Sequence, residues 1–81
     1  MNKSILKKPG KDLASRLKYA REYRHMSQHE LARKLKKPIQ PIVISRYENN
    51  KHKPSVDTLA QICDVLDVSS EYFLGRINKL K

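Results

Sequence analysis

Pro41 constrains this chain more than any other residue. It stands directly before Ile42, Val43 and Ile44 in the stretch PIQPIVISRYENNKHKP, residues 38–54. The β-branched run alone suggests a buried strand. Proline has no amide hydrogen to give to a sheet ladder, whereas the first turn of a helix asks for none. No other segment offers such a strand a convincing partner. The stretch is therefore expected to be a helix over about Gln40 to Asn49, with Ile44 and Tyr47 inward and Ile42, Ser45, Arg46 and Asn49 outward. An isoleucine and an arginine on the open side of a short helix raise the question of what they touch.

The rest of the chain also reads as helices. Asp12 is placed to cap a first helix carrying Leu13, Leu17, Ala20 and Arg21 at helical spacing, with Arg16, Lys18 and Arg24 on other faces and an end near His25. Ser27-Gln28-His29-Glu30 has the form of a capping box, so a second helix starts at Gln28 and runs through Leu31, Ala32 and Leu35. Ser55 caps a fourth, in which Val56, Leu59, Ala60, Ile62, Cys63 and Leu66 form an apolar stripe. A short fifth follows Ser69, carries Tyr72, Phe73 and Leu74, and stops at Gly75. The expected fold is all-α, five short helices on one core. A flexible basic arm (1–10) precedes the domain (11–75), and a basic tail (76–81) follows it.

At 81 residues one modest core is the most the chain can build. Its net charge of +10 favours a polyanionic partner, nucleic acid first and anionic membrane second. The charge is unevenly placed: residues 55–75 contain no Lys or Arg and 4 acids, whereas residues 1–54 contain 15 basic and 4 acidic side chains. The single cysteine, Cys63, excludes an internal disulfide and fits a reducing compartment. No apolar run approaches the ~20 residues needed to span a bilayer, so a soluble, cytoplasmic, nucleoid-associated protein is expected, with no membrane partner. His25 and His29 have a metal-binding spacing but no further ligands, and there is no catalytic triad or glycine-rich phosphate loop. Neither enzyme, metal nor cofactor is expected.

The runs LKYAREYRHMSQHELARKL and ISRYENNKHKPSVDTLAQICDVLDVSSEYFLG closely resemble the Cro and phage-repressor type (XRE family) of helix-turn-helix over about residues 13–75. Four signatures occur in the right order: Ser27-Gln28 with Glu30-Leu31-Ala32, Ile44 to Asn49, Lys53-Pro54-Ser55, and Val68-Ser69 with Phe73-Leu74-Gly75. The resemblance implies a lambda-repressor-like domain whose third helix enters the major groove of double-stranded DNA while the second crosses the backbone.

On that resemblance Gln40, Ile42, Ser45 and Arg46 are the candidate base readers. Arg46 suits guanine O6 and N7, Gln40 an adenine edge and Ile42 a thymine methyl, with Ser45 less selective. Gln28 resembles the family's phosphate-binding glutamine, and Asn49, Lys51, His52 and Lys53 fall where the following loop meets the backbone. Arg21 and Glu48 match a pair that bridges the first helix to the end of the third.

One departure stands out. Between Leu35 and Ile44 the chain has two residues more than the usual spacing, and Lys36 replaces a turn glycine, so the register of Gln40 and Pro41 is less fixed than that of Arg46. Proteins of this type bind two half-sites as dimers. Val65, Val68 and Tyr72 are the candidate contacts for a homodimer acting as a repressor at an inverted repeat, with a toxin as a further possible protein partner. Sequence-tolerant RNA or membrane-surface binding is the alternative that charge alone permits.

Overall fold

The computed structural model describes residues 9–80, so the expected arm lies outside the described residues except for Pro9 and Gly10. Four of the five helices open on a side-chain cap. Asp12 caps α1 (Leu13–Tyr23) by accepting from the Ser15 amide at 3.0 Å. Ser27, Ser55 and Ser69 do the same for α2 (Gln28–Lys34), α4 (Val56–Leu66) and α5 (Ser70–Phe73). The capping box is complete: the Glu30 amide donates to Ser27 Oγ and the Ser27 amide to Glu30 Oε1, both at 3.0 Å. The exception is α3 (Pro41–Glu48), which starts on Pro41, with Gln40 at the N-cap making no side-chain bond. The strand reading of Ile42 to Ile44 is thereby excluded, and the helix that replaces it starts and stops one residue inside the expected span.

Helix ends explain how a chain with two glycines folds so tightly. His25, Asn50, Asp67 and Gly75 all have positive φ, at 59°, 59°, 55° and 77°. After α1, α3 and α5 the next amide then reaches back five residues, Met26 to Arg21 O at 3.1 Å, Lys51 to Arg46 O at 2.8 Å and Arg76 to Glu71 O at 3.0 Å. These closures normally draw on glycine. Asn, Asp and His tolerate the conformation better than other side chains do, so only Gly75 is needed. Because His25 makes the reversal, α1 ends at Tyr23, short of the expected end.

The core joins Leu17 and Ala20 of α1, Leu31 of α2, Ile44 of α3, Ile62 and Leu66 of α4, and Tyr72 and Phe73 of α5, all essentially enclosed. The expected α4 stripe is narrower than its sequence pattern: Val56 is 87% exposed and Ala60 is open to solvent, while Leu59 packs against the core. Leu74 is likewise exposed.

The longer turn before α3 is anchored. Ile39 packs on the core while its amide bonds Ala32 O at 3.3 Å, and the Lys37 amide donates to Gln61 Oε1 on α4 at 2.8 Å.

Arg16 corrects an expectation. Placed by sequence on a face other than the apolar stripe, it is 3% exposed. Nε donates to Gly10 O at 2.8 Å, Nη1 to Tyr72 O at 2.8 Å and Ile77 O at 2.6 Å, and Nη2 to Asn78 Oδ1 at 2.8 Å. The guanidinium also lies 4.5 Å from the Tyr72 ring centroid. One side chain thus fastens α1 to α5 and to the tail, where Leu80 packs against the core. Arg24 is also engaged, donating to Leu66 O and Asp67 O at the end of α4.

Candidate nucleic-acid interface

α3 is held from behind and open in front. Ile44 is fully enclosed and Glu48, one turn later, is 9% exposed, so one stripe of the helix is fixed to the body. The opposite side carries Ile42, 51% exposed, and Arg46. Their i, i+4 spacing places both on one side of α3. Among the described residues no hydrogen bond or ion pair engages the Arg46 guanidinium. An exposed isoleucine loses free energy to water, and an unpaired arginine has donors to offer.

Gln40 stands at the entrance to α3 with its amide uncommitted to capping. Ser45 and Asn49 are less available: Asn49 Nδ2 donates to Ser45 O at 2.8 Å and Ser45 Oγ at 3.2 Å, and Ser45 is half-buried. Beyond α3, Lys51, His52 and Lys53 follow the Asn50 reversal, all exposed. The amides of Lys51 and His52 both bond Arg46 O, at 2.8 and 3.3 Å, which ties this basic loop to the helix that bears Arg46.

Three helices meet at one carboxylate. Arg21 Nε donates to Glu48 Oε2 at 2.6 Å and Nη2 to Oε1 at 3.0 Å, a two-point pair. Arg21 Nη1 also donates to Met26 O at 2.7 Å, and Gln28 Nε2 to Glu48 Oε1 at 3.1 Å. Burial alone lowers the Arg21 pKa, but the bond to Glu48 and its charge, with Glu22 adding, raise it above its usual value. The pair therefore remains ionised at any ordinary pH on the arginine side. The structure brings Arg21, Gln28 and Glu48 into contact. The Gln28–Glu48 bond is the feature of this region that sequence reasoning missed, since the two lie 20 positions apart and neither spacing nor polarity signals their meeting.

Of the candidate dimer contacts, Val68 and Tyr72 are buried in the single chain. At 5% and 2% exposed they pack in the core, and Val65 is half-buried. The exposed apolar side chains nearby are Leu74 and Ile77. Among the described residues no group of three or more His, Cys, Asp or Glu side chains gathers as a metal site, and no helix is long and apolar enough to cross a membrane.

A helix-turn-helix family model matches residues 17–73, which span α1 to α5 and include all of α2, α3 and their connecting turn. Comparison with curated proteins and with solved structures gave no match. The match covers well over half of the chain and coincides with the helix pair described above, so the chain belongs to the Cro/C1-type (XRE) helix-turn-helix family of DNA-binding transcription regulators.

Proposed function

We propose that the chain is a sequence-specific double-stranded DNA-binding regulator that represses by occupying an inverted-repeat operator as a homodimer. The observation that carries this reading is the open side of α3, where Arg46 is unpaired and Ile42 is exposed on a helix otherwise fixed by Ile44 and Glu48. Arg46 forms two parallel bonds to a guanine in the major groove, Ile42 packs on a thymine methyl and Gln40 reads an adenine edge. Ser45 ranks below these because its oxygens already accept from Asn49.

Phosphates are held by Gln28 on one side of the groove and by Lys51, His52 and Lys53 on the other, with Asn49 the weakest of the set. These contacts position α3 without reading bases. The second copy docks beside the end of α5, where the apolar side chains of Leu74 and Ile77 are exposed.

The test is affinity for an operator duplex as a function of salt. With ~6 phosphates neutralised, affinity falls on the order of 10³-fold between about 50 and 200 mM salt. Binding that barely changes with salt contradicts the phosphate assignments. Sedimentation of the free protein reports the dimer, and Leu74→Glu with Ile77→Glu shifts it to monomer while the fold persists.

A further inference from the structure

We propose that Glu48, beyond bracing α1 against α3, is the positioning residue that aims the Gln28 side chain at the DNA backbone. The inference rests on the proposed reading of Gln28 as a phosphate contact and adds what makes that contact possible. A glutamine amide has a donor end and an acceptor end, and only the donor end binds a phosphate. Free in solvent, the side chain samples both ends and many rotamers. An ionised carboxylate only accepts, so Glu48 Oε1 at 3.1 Å selects the Nε2 end of Gln28 and turns the amide one way round. Nε2 carries two hydrogens. One is held by Glu48, and the other remains for an anion outside.

The carboxylate can orient Gln28 because it is itself immobile. Arg21 holds both of its oxygens, at 2.6 and 3.0 Å, and the side chain is almost wholly buried. Glu48 is also the last residue of α3, the helix that carries Arg46. The phosphate contact of α2 and the base-reading side of α3 are thereby referred to one fixed group. A phosphate seated on Gln28 sets the position of α3 in the groove, which is how a contact blind to sequence sharpens one that reads it.

The experiment is a set of DNA-affinity measurements on the full chain, Gln28→Ala made in the wild type and in an Arg21→Met/Glu48→Met background. Replacing both members of a buried ion pair by apolar residues of similar size commonly keeps the fold, whereas removing one does not. Thermal melting and circular dichroism confirm folding of each variant. In the wild type, Gln28→Ala weakens binding about tenfold, the usual effect of losing a bond to a charged group. In the apolar background the same change costs less than about twofold, because Gln28 is no longer aimed and its contact is already lost. The salt slope is expected to be the same in all variants, because a neutral amide displaces no counterion and the paired substitution removes no net charge. An equal tenfold cost in both backgrounds overturns the positioning role while leaving the phosphate contact standing. No cost in either background overturns the phosphate contact and the inference with it.

Discussion

Arg16 and Arg21 lie five residues apart on α1, and both are buried, but they are held in opposite ways. Arg21 faces a carboxylate that takes two of its bonds and neutralises its charge. Arg16 has no carboxylate within ion-pair distance among the described residues, and its bonds go to three backbone carbonyls and one asparagine oxygen. The first arrangement joins α1, α2 and α3 around the face assigned to DNA. The second joins α1 to both ends of the described chain. A buried charge can thus be satisfied by opposite charge or by aligned dipoles, and the choice follows location: near the DNA side neutralisation leaves the exposed cations to define the field, while at the termini the guanidinium serves as a multi-point clasp.

The comparison is most easily broken by removing one partner at a time. Glu48→Ala leaves Arg21 charged and buried with only Glu22, at 4.0 Å, as a counter-charge, and is expected to cost about 3–5 kcal/mol in denaturant unfolding. Much of that returns in Arg21→Met/Glu48→Met. Arg16→Met has no stranded opposite charge, only carbonyls left without a donor, and is expected to cost about 1–3 kcal/mol. Its signature is local: trypsin cleavage after Arg76 and Lys79 accelerates well beyond what the loss of global stability explains. If Glu48→Ala and Arg16→Met cost the same and open the tail equally, the two clasps are not distinct.

Cys63 offers a reporter on the same question. Burial, with the neighbouring charge of Asp64, raises the thiol pKa above its usual value, so alkylation in the native state is slow at neutral pH. Glu48→Ala speeds it in proportion to global unfolding, and Arg16→Met speeds it less. A smaller effect comes from Asp12. Hydrogen bonds from the Ser15 amide and hydroxyl hold its pKa below the ordinary carboxylate value. The stability it adds is therefore complete above the unfolded carboxylate pKa and disappears as pH falls through the lower folded one. Asp12→Ala costs about 1 kcal/mol at neutral pH, and Asp12→Asn retains the cap while removing this part of the acid dependence.

The helices were legible because their signals are local. Pro41 at the first position of α3, the Ser27 and Glu30 box and the Ser55 cap each act within a turn of where they stand, and each is present. What was not legible depends on distant parts of the chain. Arg16 is enclosed because Gly10, Tyr72, Ile77 and Asn78 converge on it, and Val56 is exposed although Leu59, in the same turn of α4, packs on the core. The periodicity that placed Val56 in a stripe is the same that placed Leu66 there; tertiary packing separates them. Along the candidate interface, the spacing of Ile42 and Arg46 was sufficient to place them on one side, whereas the Ser45–Asn49 and Gln28–Glu48 bonds, which rank and aim the polar candidates, required coordinates.

Selection of bound sites from a random duplex DNA pool, at physiological salt, with the wild type and with Arg46→Ala, tests the central claim most directly. The wild type is expected to recover an inverted-repeat motif, and the variant the same motif with one guanine in each half-site no longer specified. A well-folded wild type that recovers no motif, or a variant that recovers the unchanged one, contradicts it.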